Sequence, residues 1–155
     1  MLQKKLAKGP LRRLRLTYCG AAFLAFFAGI AIYLFFRNHD IALFQFLPTP
    51  SFLGSLRIPV RTDNILVSMF IFNLPHGLWC LAGLLVIRAV WLTNTKWRAI
   101  YAGLFVLIAF VMEISQLFGV IPGTFDVFDM AFVAIFCFAE SLIFNGFVKG
   151  ELCNE

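Results

Sequence analysis

Seven polar residues with the chemistry to accept, donate or hold a proton stand inside otherwise apolar sequence: Asn73, His76, Glu113, Gln116, Asp126, Asp129 and Glu140. Asn73 and His76 are three apart, as are Glu113 and Gln116, and Asp126 and Asp129, so each pair shares one face of a helix. Glu140 follows Asp129 by 11 residues, and at about 100° per residue it returns to nearly the same face. Carboxylates placed this way can act as general acid and base, or coordinate a divalent cation that bridges to a phosphate. Oxygen-rich ligation suits Mg²⁺ or Ca²⁺ better than zinc. Glu113, Asp126 and Asp129 are therefore the catalytic candidates, and Gln116, Asn73 and His76 the ligand-binding ones. A divalent cation such as Mg²⁺ is the cofactor this set could take, although the spacing specifies no metal.

Two of the pairs also have a plain structural explanation. Asn73 and His76 could hydrogen-bond across helices and satisfy one another. Asp126 and Asp129 could cap a helix N-terminus, where carboxylates accept orphan backbone donors and suit the dipole. Neither explanation covers Glu113. A carboxylate within an apolar span needs a cation, a proton or a network of donors. Glu140 fits protonated packing, a proton relay or helix-to-helix glue equally well.

The elements that must position these groups are four long apolar runs, at about 18–36, 65–90, 100–118 and 127–147. Each has roughly the 20 residues needed to cross a hydrocarbon core about 30 Å thick. The apolar fraction is 61%, against about 45–50% in a soluble domain. The expectation is an all-α, polytopic membrane bundle of about four transmembrane helices forming one domain over 1–155, with no separate soluble catalytic domain. Ala21, Ala25, Ala28 and Gly29 form a small-residue stripe in the first run, suited to close helix packing within the bundle or between copies. Cys19, Cys80, Cys137 and Cys153 lack any metal-binding spacing and read as small apolar residues.

Charge sets the expected orientation. Lys4, Lys5, Lys8, Arg12, Arg13 and Arg15 precede the first run. Such a cluster retains that end in the cytoplasm and attracts anionic lipid, and its position argues against a nucleic-acid partner. With both termini cytoplasmic, inside segments hold ten Lys and Arg residues and outside segments three, namely Arg37, Arg57 and Arg61. The first run is too long for a signal peptide and lacks a small-residue cleavage site. Residues 37–64 then form an outer apolar loop interrupted by Pro48, Pro50 and Pro59, either hugging the surface or covering the bundle mouth. Glu113, Gln116, Asp126 and Asp129 fall toward the outer face, with His76 and Glu140 near mid-membrane.

The segment Glu113-Ile-Ser-Gln116 followed by Pro122-Gly-Thr-Phe-Asp126-Val-Phe-Asp129 resembles the VanZ-like family of small bacterial membrane proteins. Their hallmark is a Glu and Gln three apart near a helix end, a short loop, and two aspartates opening the last helix. Leu74-Pro-His-Gly-Leu-Trp79 also resembles a segment of one family branch. The likeness covers about Asn73 to Glu140. Two positions depart from it: Gly123-Thr124-Phe125 stands where the family often has Arg, and Val133 where Asn is common. The resemblance implies a multi-pass protein of the bacterial cytoplasmic membrane with a cell-envelope role, linked in that family to glycopeptide antibiotic resistance.

Three functions follow as expectations. The first is an outward-facing site that binds or modifies an envelope lipid or lipid-linked glycan. The others are a non-catalytic adaptor holding a membrane-protein partner or a second copy, and small-solute or proton-coupled transport. No serine triad, phosphate loop, dinucleotide fingerprint or zinc helix is present in the sequence, and whether the site is an enzyme's stays open.

Overall fold

The computed structural model describes residues 8–36, 58–59, 64–122 and 124–152, with the side chains of the last helix as far as Leu142. Lys4 and Lys5, nearly all of the 37–64 loop, and Cys153 lie outside the described residues. Among the described residues the chain is wholly helical: α1 (Lys8–Phe36), α2 (Ile65–Val90), α3 (Thr95–Leu117) and α4 (Val127–Leu152). The segments Leu11–Phe36, Ile65–Val90 and Thr95–Leu117 are each long and apolar enough to cross a membrane, with hydropathies of 2.2, 1.8 and 1.9. The fourth expected span coincides with α4. The first helix starts ten residues before the apolar run, because its basic turns are also helical.

Short side chains set the helix ends. Asn64 caps α2 by accepting from the Leu66 N–H at 2.9 Å, and Asn94 caps α3 by accepting from Trp97 N–H at 3.2 Å. At the end of α3 the Gly119 N–H donates to Gln116 O at 3.0 Å and the Val120 N–H to Ser115 O at 2.9 Å. This paired closure needs a left-handed residue, and Gly119 supplies it at φ 67°. Pro75 sits within α2 without ending it. Its ring removes one backbone donor and leaves the Ile71 carbonyl without its usual helical partner.

Helix α2 is the hub. It packs most extensively on α1 and α4 and less on α3, while α3 and α4 touch lightly. Helix α1 runs antiparallel to α2 and buries Tyr18, Ala22, Ala25, Gly29 and Tyr33, a seven-residue repeat facing α2. This corrects the expected small-residue stripe. Ala25 and Gly29 do face a neighbour, but Ala21 and Ala28 are exposed and Ala22 takes the packed position. A Cβ at Gly29 would lie 2.5 Å from Trp79 Nε1, so the glycine is required by close approach inside the chain. At the opposite end, Trp91, Trp97 and Tyr101 cluster at the α2–α3 turn, with Trp91 stacked on Tyr101 at 5.3 Å. Indole and phenol rings favour such interfacial positions.

Helices α2 and α4 run parallel. Their contacts advance together along both helices, with sequence offsets from 52 residues at Arg88 and Glu140 to 62 at Phe70 and Phe132. Val133 fills the seam between them, and Gly77 lets Phe132 and Phe136 of α4 lie directly on the α2 backbone.

Candidate functional site

At the end of the bundle where α2 and α4 begin and α3 finishes, five of the six candidate residues meet. Asn73, on the α4-facing side of α2, is 2% exposed. Its amide donates to Asp126 Oδ2 at 2.9 Å and to Asp129 Oδ1 at 3.1 Å. The other oxygen of Asp126 accepts from the Phe128 N–H at 2.8 Å, capping α4. One carboxylate thus starts the helix and ties it to α2. Asp129 turns its second oxygen toward His76, with Oδ2 3.8 Å from Nδ1.

His76 is one turn along α2 and bridges toward α3. Its Nε2 lies 3.2 Å from Glu113 Oε1. Glu113 is the one buried residue of α3 and only 1% exposed. Its Oε2 is buried without a hydrogen-bond partner. Asn73 and His76 therefore do not satisfy one another. Both reach across helices, as the sequence reading allowed, but to carboxylates rather than to each other: Asn73 to Asp126 and Asp129, and His76 to Glu113 and Asp129. His76 also belongs with the end cluster rather than at mid-bundle. The reason is stagger: Asn73 is eight residues into α2 yet level with Asp126, so α2 overhangs α4 by roughly 12 Å.

Gln116 stands apart. Its carbonyl takes part in the Gly119 turn, and its half-buried side chain makes no hydrogen bond or ion pair with the cluster among the described residues. The overhang of α2 shapes a cavity of about 220 Å³ lined by Ile65, Ser68, Met69, Phe72, Asn73, Asp126 and Phe128. Its walls are mostly apolar, and Asn73 and Asp126 supply its polar side.

Glu140 is not part of the site. Arg88 grips it through two hydrogen bonds, one from Nε and one from Nη2 at 2.7 Å, with both residues buried. Of its three sequence readings, helix-to-helix glue is the one this contact matches. By sequence Arg88 is one of the ten Lys and Arg residues of the inside segments. The parallel register of α2 and α4, which the sequence does not record, pairs it with Glu140. Cys80 and Cys137 sit between the two polar ends with sulfurs 3.9 Å apart, both free thiols.

The arrangement can hold cationic or hydrogen-bond-donating chemistry. Three carboxylates face one imidazole and one amide. His76, Glu113 and Asp129 each offer a ligand atom within 4.8 Å of the others, enough to consider one metal ion. Fold and site together define a helical membrane protein with a buried His–carboxylate cluster at one bundle end. No protein-family model, curated protein or solved structure matches this chain.

Proposed function

We propose that this chain is a multi-pass protein of the bacterial cytoplasmic membrane whose outward-facing cluster binds, or acts on, the headgroup of an envelope lipid or lipid-linked glycan. The observation that carries this reading is the juxtaposition of Asn73, His76, Glu113, Asp126 and Asp129 with the half-apolar cavity beneath the α2 overhang. An amphiphile presents that combination, a polar head beside an acyl or isoprenoid chain. Sugar hydroxyls can donate to Asp126, which lines the cavity, while apolar walls receive the chain. The excess of ten Lys and Arg residues over three sets this end outside. The resemblance of the Glu113-to-Asp129 segment to the VanZ-like family supports an envelope role.

The competing readings have less support. The adaptor reading leaned on the small-residue stripe, yet Gly29 is taken up by Trp79 within the chain. The proton-relay reading used Glu140, which Arg88 engages.

The test is antibiotic sensitivity in a strain lacking this chain, complemented with wild type, Glu113→Gln or Asp129→Asn at matched membrane levels. Loss of complementation with normal insertion supports a headgroup site. Full complementation by both variants would remove it. Wild-type protein should also co-purify with a defined envelope lipid that Glu113→Gln fails to retain.

A further inference from the structure

We infer that His76, Glu113 and Asp129 form a binding site for one divalent transition-metal ion, for which Zn²⁺ is preferred over Mg²⁺. The cluster contributes one imidazole nitrogen and two carboxylate oxygens, each from a different helix. A mixed nitrogen and oxygen set favours zinc-like ions, whereas Mg²⁺ favours oxygen and water alone. This changes the sequence expectation, in which carboxylates alone supplied an oxygen-rich set. The structure adds His76, and Asp126 is engaged by its cap and by Asn73.

Three observations converge. The first is burial: Glu113 is 1% exposed, yet Oε2 has no hydrogen-bond partner. A buried carboxylate oxygen with no donor is costly, and a cation relieves that cost. The second is spacing. Two ligands on one tetrahedral zinc lie about 3.3 Å apart, and His76 Nε2 and Glu113 Oε1 are 3.2 Å apart. Asp129 Oδ2 faces the other ring nitrogen, 3.8 Å from Nδ1, and the three ligand atoms lie within 4.8 Å of one another, so joining Asp129 to an ion on Nε2 takes a closing of up to about 1.5 Å. The third is support. The Asn73 amide holds Asp129 Oδ1 at 3.1 Å while Oδ2 faces His76, the outer hydrogen bond that orients metal-binding carboxylates elsewhere.

Three protein ligands leave a fourth position on a tetrahedral ion. His76 is 36% exposed by side chain, so the opening lies on its side of the cluster. A phosphate or glycan oxygen would fill that position. This last step rests on the proposed headgroup function, whereas metal capture does not.

The full chain in lipid nanodiscs, stripped with chelator, is titrated with Zn²⁺, Co²⁺ and Mg²⁺ while bound metal is counted. Wild type is expected to hold about one Zn²⁺ per chain, at least tenfold more tightly than Mg²⁺. Asn73→Ala, which removes the supporting hydrogen bond on Asp129 together with the one to Asp126, should weaken Zn²⁺ about 10- to 100-fold. Glu113→Gln and His76→Ala should abolish the tight equivalent, and Cys80→Ala should keep it. Loss with Cys80→Ala but not with Glu113→Gln would move the ion to the thiol pair and overturn the inference. So would wild type that holds no tight equivalent, a result that needs no variant to fold. In that case the cluster is an Asp129–His76–Glu113 hydrogen-bond relay. If lipid co-purification survives demetallation while wild type still holds one tight Zn²⁺, the step that puts a headgroup oxygen on the ion falls, and metal capture and the headgroup function both stand.

Discussion

Asp126 and Asp129 are chemically identical residues three positions apart, and their surroundings give them different work. Asp126 caps α4 with one oxygen and takes Asn73 with the other. Asp129 shares Asn73 but faces His76. Asp126→Ala should therefore cost about 1 kcal/mol for the cap alone, plus the Asn73 contact, measured by unfolding in mixed micelles. Asp129→Asn should leave the unfolding midpoint nearly unchanged while abolishing complementation. The Arg88–Glu140 pair behaves differently again. Removing one partner strands a buried charge, so Arg88→Leu should destabilise by about 3–5 kcal/mol. The double variant Arg88→Leu with Glu140→Leu should recover most of that loss. A double variant no more stable than the single one would mean the pair does more than neutralise charge.

At the scale of helices, α2 decides the architecture because three neighbours read different faces of it. Lipid removes the hydrophobic drive between helices, which leaves close packing and interhelical hydrogen bonds to hold them. Gly29 and Gly77 supply the close packing, against Trp79 and Phe136 respectively. Gly77→Leu should force Phe132 and Phe136 off the α2 backbone and separate α2 from α4. The expected cost is about 1–3 kcal/mol of overpacking, with loss of complementation because Asn73 withdraws from Asp126 and Asp129. Gly29→Leu should destabilise the single chain by a similar amount. Unchanged unfolding with altered oligomer size would instead place Gly29 at an interface between copies. Gly119→Ala should cost about 1–2 kcal/mol, since the turn that ends α3 needs a left-handed residue.

For the whole molecule, the consequence is polarity along the bundle axis. One end carries the His–carboxylate cluster, and the other carries the tryptophan cluster with Arg88 and Arg98 nearby. If basic residues set orientation as proposed, a cysteine at the exposed position Val120 reacts with an impermeant maleimide in intact cells. A cysteine at Thr93, also exposed, should react only after permeabilisation. These substitutions are made in a background without native cysteines, because Cys19 is itself exposed. The reverse pattern would turn the cluster toward the cytoplasm and end the outer-leaflet reading.

The sequence alone determined the helical class, the positions of the four helices and the membrane setting, because apolar runs of span length have few other solutions in water or lipid. It also brought out Glu113, whose charge amid apolar neighbours needs a partner in any arrangement. Which partner was a tertiary matter. Helical periodicity records which residues share a face, but not which neighbouring helix that face meets or how far the two are staggered. The roughly 12 Å overhang of α2 lifted His76 from apparent mid-membrane depth into the cluster. The parallel register of α2 and α4 likewise joined Arg88 to Glu140 across 52 residues. Stagger and register come from packing at Gly29, Gly77 and Val133, where contact between side chains, rather than hydropathy, selects the fit.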